Sequence, residues 1–288
     1  MQIIFPIFMF IFGACLGSFL CCQARRLHFK TASISEVPTP KKGSTKRTSS
    51  RQKSLGARSV CLSCGYQLKW YDNIPIFSWL FLKGKCRKCH HQIGFAELFS
   101  ELGLGLAFML VAIGMVARGI TFTFLAANPI ELATIIFSLF FVAIIGFLAI
   151  YDGLYGQLPT SILTISIICA IIIIILREWV SLSVGQDLLN LLFATLILGG
   201  LYLLLYLISK GKWVGDGDWL LGLALALVLG TPWLALIALF LSNLFAALIM
   251  LPSIKRGHSH KIYFGPFMVA AFVVVFAFSH FFYAIISL

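Results

Sequence analysis

The chain has 288 residues, of which 60% are hydrophobic and 11% are charged, and its formal net charge is +12. Soluble domains carry about 25% charged residues, so the composition excludes a soluble globular domain, a disordered chain and a disulfide-stapled secreted module. A polytopic membrane protein is the class that remains.

The positive charge is concentrated in one part of the chain. Residues 23–96 contain 15 of the 22 Lys and Arg residues and only two acidic residues, Glu36 and Asp72. A basic segment inside an apolar chain is typical of a loop that fixes membrane topology. We therefore predict a lipid bilayer and no nucleic acid as the partner of this charge.

Eight apolar runs predict membrane-spanning helices, each of which needs about 20 residues. The first run is expected to stay uncleaved, because its positive residues Arg25 and Arg26 follow the apolar stretch and a signal peptide has them before it. By the spanning window the runs cover roughly residues 3–22, 97–117, 131–151, 160–176, 188–208, 218–231, 233–251 and 265–286.

The threading of these runs assigns the two sides of the membrane. With the N-terminus outside, 20 Lys and Arg residues fall on cytoplasmic stretches, and two, Arg118 and Arg177, fall outside. This is a strong positive-inside bias. The chain thus divides into a first transmembrane helix at residues 1–22, a basic cytoplasmic segment at 23–96 and a seven-helix membrane domain at 97–288. Residues 31–59 predict a flexible linker, either a solvated tether or a stretch lying on anionic headgroups.

Four cysteines of the cytoplasmic segment form two C-x-x-C pairs, Cys61 with Cys64 and Cys86 with Cys89. This pattern predicts a tetrahedral zinc site, which would supply folding energy to a segment with little core. Neighbouring Lys and Arg side chains are expected to keep the thiolates ionised. Two disulfides, which a reducing cytoplasm disfavours, and a redox site are the alternatives. With four protein ligands the metal would be structural and not catalytic.

The predicted fold is therefore an all-α polytopic membrane protein of about eight transmembrane helices, with a small zinc-binding cytoplasmic segment, its knuckles at 61–89, between the first two. Three aspartates lie at the cytoplasmic ends of the apolar runs: Asp152 after the third, and Asp216 and Asp218 at the start of the sixth. Carboxylates at membrane depth are costly and mark functional sites. Wetting by lipid headgroups is the alternative.

Two carboxylates that come close can divide the roles of general base and hydrogen-bond donor. The spacing leaves open which two pair, but Asp216 and Asp218 face different sides of a helix and are not expected to line one cleft. Glu97 and Glu101 share one helix face, either as a wetted helix start or as a polar site beside the membrane. His90 and His91 are further zinc-ligand candidates, although four cysteines already complete a site.

These residues stand in motifs that resemble the prepilin peptidases, membrane aspartic proteases of the Gly-x-Gly-Asp type that process type IV pilins and type II secretion pseudopilins. The resemblance covers nearly the whole chain in order, and its cysteine stretch is highly specific. The motifs are Gly13-Ala-Cys-Leu-Gly-Ser-Phe-Leu20, Cys61 to Cys64, Trp70-Tyr-Asp-Asn-Ile-Pro-Ile-Phe-Ser-Trp-Leu80, Cys86 to Cys89, Glu101-Leu102, Asp152 with Leu158-Pro159, Gly215-Asp-Gly-Asp218 and Phe264-Gly-Pro-Phe267.

The resemblance implies an enzyme that cleaves the leader peptide of prepilins or pseudopilins after a glycine, at the cytoplasmic face of the bacterial inner membrane. It implies Asp152 and Asp218 as the catalytic pair and places Asp216 at the variable position of its motif. Many members then methylate the new N-terminus with S-adenosylmethionine. The sequence assigns no residue to this methyl donor.

Three stretches depart from the family pattern. Cys21-Cys-Gln-Ala-Arg-Arg-Leu-His28 stands where the family has Asn and later Arg-Leu-Pro, Leu220 replaces a Lys, and Thr160 replaces Asp or Asn. No departure removes a carboxylate of the pair, so proteolysis is expected to be retained. The first departure lies in the region that the family associates with methyl transfer.

A non-enzymatic membrane adaptor is the alternative function. Its zinc segment would dock pilus or secretion assembly proteins, its aspartates would merely face water, and it would tolerate Asp152→Ala. A proton-relay transporter is disfavoured because the aspartates lie at one face of the membrane instead of near the midplane.

Overall fold

The computed structural model describes residues 3–35, 61, 63–120, 122–181, 184–211, 214–255 and 263–286. These residues are helical or irregular, and the β-structure named among them is one isolated bridge between Lys85 and Gln92. The predicted all-α class is confirmed. The helices are Ile4–Ser35 (α1), Phe77–Phe81 (α2), Phe95–Ala117 (α3), Phe122–Ala127 (α4), Pro129–Tyr155 (α5), Thr160–Ser181 (α6), Val184–Thr195 (α7), Leu201–Ser209 (α8), Asp216–Leu229 (α9), Pro232–Lys255 (α10), Gly265–Ala277 (α11) and Ser279–Ile286 (α12).

Six apolar stretches of the described helices are long enough to cross a membrane: within α1, α3, α5, α6 and α10, and across α7 and α8, which a π-helical turn at Leu196–Gly200 joins. A seventh span results if α11 and α12, which are bent by 69° at their junction, count as one. Helix α9 has 14 residues, or about 21 Å at 1.5 Å per residue. It is shorter than a hydrocarbon core of about 30 Å, so the count of eight spans stays a prediction.

The first helix is longer than the sequence predicted. The predicted span ends near residue 22, whereas α1 continues to Ser35. Residues 23–35 contain neither Gly nor Pro, so nothing in them ends a helix when the chain leaves the apolar layer. Residues 31–35 of the predicted linker are therefore helical, and its remainder lies outside the described residues.

Helices α1 and α3 pack closely because α1 presents glycines where the two helices meet. A Cβ added at Gly13 would lie 2.6 Å from the Leu104 carbonyl oxygen, and one added at Gly17 would collide with the Ser100 carbonyl. Small residues four apart let two helix backbones approach in this way. Because of this crossing, the polar half of α1, which begins at Gln23, lies next to the first turns of α3.

Candidate active site

Asp152 is held at the end of α5. The helix ends at Gly156, whose left-handed backbone (φ +65°) lets its N–H donate to the Asp152 carbonyl oxygen at 2.7 Å. The Asp152 side chain is buried, and its Oδ2 accepts a hydrogen bond of 3.0 Å from the Gly265 N–H, at the start of α11. The carboxylate is thus fixed by a backbone group from a helix 113 residues further along the chain.

Asp218 is held in a similar way at the start of α9. Its Oδ2 accepts a hydrogen bond of 3.0 Å from the Gly215 N–H, which precedes the first turn of the helix. A helix N-terminus favours a carboxylate, because its free N–H groups carry partial positive charge. Asp216, two residues away, is exposed, so the two aspartates differ in environment as the helical spacing predicts.

The segments that carry Asp152 and Asp218 touch. Gly217 packs against Leu158 so closely that an added Cβ would lie 2.6 Å from the Leu158 Cβ. Leu158 lies six residues after Asp152, and Asp218 is an electrostatic neighbour of Asp152. The C-terminal end of α5 and the N-terminal end of α9 therefore form one acidic site.

This site lies at the same end of the helical bundle as the polar half of α1. The His28 ring stacks on the Tyr155 ring with centroids 3.7 Å apart and planes 8° apart, and Tyr155 is three residues from Asp152. His28 Nδ1 lies 3.4 Å from the Tyr151 hydroxyl. The side chain that replaces the proline of the family pattern thus joins α1 to the helix that carries Asp152.

Two contributors to the site were missed in the sequence. Tyr202 on α8 is buried, its ring lies 5.6 Å from the ring of Phe264, and Asp218 is among its electrostatic neighbours. The available signal was weak, because the leucine-rich run holds two tyrosines, Tyr202 and Tyr206, and nothing in the sequence separates them. Gly265 contributes a backbone N–H. Such a donor cannot be inferred from the type of the residue, although Gly265 stands in the Phe264-Gly-Pro-Phe267 motif.

The four cysteines of the two knuckles come together. Their Sγ atoms all lie within 4.8 Å of one another, and Cys61 Sγ is 3.8 Å from Cys89 Sγ. Four thiolates at about 2.3 Å from a tetrahedral zinc ion are separated by about 3.8 Å. The residues present therefore fit a zinc ion, and the arrangement disfavours two separate disulfides.

Each knuckle closes by the same backbone turn. The Gly65 N–H donates to the Cys61 carbonyl at 2.9 Å, and the His90 N–H donates to the Cys86 carbonyl at 3.0 Å. Gly65 and His90 both have left-handed backbones, with φ of +68° and +54°. His90, a candidate ligand in the sequence, is thus the residue that closes the second turn.

Backbone N–H groups favour the thiolate form of Cys86. The N–H groups of Cys89 and Lys88 stabilise the thiolate and lower the pKa of Cys86 to about 7. The sequence predicted Lys and Arg side chains for this role. In the structure the largest contributions come from backbone N–H groups instead.

A buried carboxylate braces the second knuckle. Asp72 Oδ1 accepts a hydrogen bond of 2.8 Å from the Arg87 guanidinium, and Asp72 Oδ2 accepts one of 3.1 Å from the Lys69 N–H. The Arg87 guanidinium also lies over the Tyr71 ring, 4.9 Å from its centroid. The Trp70–Asn73 turn is thereby fixed to the Cys86–Cys89 turn.

Glu97 and Glu101 lie near the start of α3, and each also binds another part of the chain. Glu97 forms an ion pair of 2.5 Å with Arg25 on α1. Glu101 is buried, and its Oε2 accepts a hydrogen bond of 2.6 Å from the Ile76 N–H. The two acidic residues therefore connect α1 and residues 61–89, which we call the cysteine segment, to the first turns of α3.

A cavity of about 340 Å³ lies between α1, α3 and the cysteine segment. Three buried polar atoms in its lining residues, Arg25 Nε, Trp79 Nε1 and Glu97 Oε2, have no hydrogen-bond partner among the described residues. Cys21 and Cys22, which depart from the family pattern, also line the cavity. It is therefore a chamber with charged residues in its wall, and its lining residues are distinct from those of the aspartate site.

Comparison with known proteins places this architecture in a family. Residues 11–115 match the bacterial peptidase A24 N-terminal domain. The prepilin leader peptidase/N-methyltransferase of Aeromonas hydrophila is 32% identical over 219 residues, which cover 74% of this chain and 69% of that protein. Its counterpart in Aeromonas salmonicida strain A449 is 28% identical over 277 residues, covering 91% and 87%.

A third similar protein, the prepilin leader peptidase/N-methyltransferase of Myxococcus xanthus strain DK1622, is 35% identical over 105 residues, which cover 36% of this chain and 25% of that protein. No solved structure gives a significant match. The match to the Aeromonas hydrophila protein, at this identity and over this share of both chains, shows that the chain belongs to the prepilin leader peptidase/N-methyltransferase family.

Proposed function

We propose that the chain is an aspartic endopeptidase that cleaves the leader peptides of prepilins or pseudopilins, with Asp152 and Asp218 as its catalytic pair. The observation that carries this proposal is that each carboxylate accepts a backbone N–H, at helix ends that pack together through Gly217 and Leu158. Carboxylates positioned by rigid backbone suit acid–base chemistry, which requires a fixed geometry around the reacting water. The names of the relatives supply the substrate class.

The pair would act on a water molecule between them. The ionised aspartate takes a proton from the water, whose oxygen attacks the carbonyl carbon of the scissile bond, while the protonated aspartate donates a hydrogen bond to the carbonyl oxygen. The tetrahedral intermediate then collapses as a proton passes to the leaving amine and the C–N bond breaks. The products are a leader carboxylate and a new N-terminal amine.

Zinc would hold the cysteine segment together, without a part in the cleavage. The ligands would be Cys61, Cys64, Cys86 and Cys89, which complete a tetrahedral site and leave no open position for substrate. Because Glu101 and Glu97 tie this segment and α1 to α3, a folded segment would keep the polar end of the bundle in shape.

We place this end of the molecule at the cytoplasmic face of the bacterial inner membrane, with the N-terminus outside. The aspartate site and the cysteine segment lie at one end of the bundle, and the basic residues of the chain concentrate at 23–96. A positive segment remains on the cytoplasmic side. Residues 97–288 would then form the membrane domain that carries the catalytic pair.

N-methylation of the new terminus is a second candidate activity, favoured by the chamber beside α1 and the charged residues in its wall. S-adenosylmethionine has an amino-acid part that carries both charges. The chamber offers Arg25 and Glu97, which form an ion pair with each other and each keep one buried atom without a partner among the described residues. The residues present therefore fit such a group. When bound, it would supply the methyl group.

The adaptor function is less well supported by this geometry. It requires aspartates that merely face water, whereas Asp152 is 5% exposed and bound to the backbone of α11. A buried carboxylate is costly unless its position serves the protein.

Co-expression with a prepilin tests both activities at once. The intact mass of the pilin product would show loss of the leader when the chain is present and retention of the leader in cells that lack it. An added methyl group on the new N-terminus would support the second activity. An unprocessed pilin, with the chain inserted at a normal level, would contradict the peptidase proposal.

A further inference from the structure

The cysteine segment carries an exposed aromatic face. Helix α2 presents Phe77, Leu80 and Phe81 on one side at helical spacing, with exposed fractions of 61%, 54% and 84%. Trp70, just before this helix, is 79% exposed. Large apolar side chains gathered on one surface mark a contact with a protein or a membrane.

The side of α2 opposite this face packs against the first turn of α3. The Trp79 ring of α2 lies 5.2 Å from the Phe95 ring, and the Phe95 ring lies 6.3 Å from the Phe99 ring. Phe95, Phe99 and Leu106 are all exposed on α3, at intervals of four and seven residues that place them on one helix face. In a membrane-spanning helix such a stripe contacts acyl chains.

The depth of α2 is fixed by Glu101. Its Oε2 binds the Ile76 N–H at 2.6 Å, and Glu101 lies six residues inside α3, about 9 Å along the helix axis. Helix α3, with 23 residues, is about 34 Å long, slightly more than a hydrocarbon core of about 30 Å. The first turns of α3, and α2 beside them, therefore lie at the boundary of that core.

A basic rim follows the aromatic face. Lys83, Lys85 and Lys88 come directly after α2 and are exposed. Lysines beside aromatic side chains are typical of a surface that lies in the headgroup layer of an anionic leaflet. A second copy of the chain would cover apolar side chains but gives no reason for this rim.

We propose that the aromatic face of α2, formed by Phe77, Leu80 and Phe81, inserts into the headgroup–acyl boundary of the anionic cytoplasmic leaflet. The cysteine segment then lies on the membrane surface and is not surrounded by the cytosol. The inference depends on α3 as a span and holds whether or not the aspartates are catalytic.

Brominated lipids test this docking. Phe81→Trp is reconstituted in phosphatidylethanolamine vesicles that contain phosphatidylglycerol, with bromine near the headgroup end of the acyl chains, and its emission is compared with that of the wild type. The added emission should be quenched at least about twofold, because the ring lies within the boundary layer. Gln67→Trp, at an exposed polar position outside the face, is the matched control and should keep its emission.

Zinc content equal to that of the wild type shows that the segment of each variant is folded, and Phe77→Trp gives an independent reading at the same face. Equal emission of the Phe81 and Gln67 variants with and without bromine would overturn the proposal. Emission that ignores bromine but changes when the protein is diluted with lipid would assign the face to a second copy and would also overturn it.

Discussion

Gly265→Ala perturbs the support of Asp152 without touching a carboxylate. The added Cβ would lie 2.8 Å from Asp152 Oδ2, 3.3 Å from its Cγ and 3.4 Å from its Cβ. A carbon and an oxygen do not remain 2.8 Å apart in a packed interior, so either the carboxylate or the start of α11 must move. The hydrogen bond of 3.0 Å between the Gly265 N–H and Oδ2 is then stretched or lost.

The size of the effect follows from these two terms. Overpacking costs about 1–3 kcal/mol, and a hydrogen bond to a charged group contributes about 1.5–3 kcal/mol. If about 1.4–2.8 kcal/mol of this support is lost from the transition state, the cleavage rate falls about 10- to 100-fold. Substrate binding should change less, because the leader does not contact the Gly265 backbone in this account.

The assay is cleavage of a purified prepilin by the purified protein, with kcat and KM measured separately. Gly153→Ala is the matched control, because it lies next to the same aspartate and its added Cβ would meet only Pro266 Cγ, at 3.7 Å. It should cleave at close to the wild-type rate. Equal rates for Gly265→Ala and the wild type would refute the assignment of Gly265 as the support of Asp152.

Three further changes test the supporting structure. Serine at both Cys61 and Cys86 should reduce zinc from about one ion per chain to none while the helical circular dichroism of the membrane domain persists, and full metal content would refute the ligand assignment. Asp72→Asn should weaken the brace to Arg87, because it removes the charge that pairs with the guanidinium, and should speed zinc transfer to a chelator; an unchanged rate would contradict the brace. Glu101→Ala should leave the N–H at the start of α2 unpaired, at a cost of about 1–3 kcal/mol, and should raise the rate of hydrogen exchange there. Glu101→Gln keeps an acceptor and should not raise that rate. Equal exchange rates in both variants would count against this anchor.

Features that depend on local pattern could be predicted from the sequence. The helices follow from apolar runs of spanning length, and the cysteine cluster follows from two C-x-x-C turns, each of which supplies two sulfurs. The different environments of Asp216 and Asp218 follow from helical geometry. Each of these needs only residues that are near one another in the chain.

Features that depend on backbone groups or distant partners could not be predicted. The N–H that binds Asp152 comes from Gly265, 113 residues away. Glycine has no side chain that could indicate this hydrogen bond in the sequence. The sequence indicates only that Glu101 is an acidic residue at a helix start. The fold shows that Glu101 accepts a hydrogen bond from the Ile76 N–H. The 69° bend between α11 and α12 lies beside Ser279 and His280, two polar residues that a window of spanning length averages over, so hydropathy alone does not reveal the bend.

The most direct test of the central claim is single-turnover cleavage of a prepilin by four purified proteins: wild type, Asp152→Asn, Asp218→Asn and Asp216→Asn. Zinc content and circular dichroism equal to those of the wild type would show that each is folded. We expect the Asp152 and Asp218 variants to lose cleavage, by at least about a thousandfold if acid–base chemistry by the pair is removed. Asp216→Asn, which changes an exposed neighbour of the same chemical type, should retain cleavage. Cleavage at the wild-type rate by either the Asp152 or the Asp218 variant would contradict the catalytic pair.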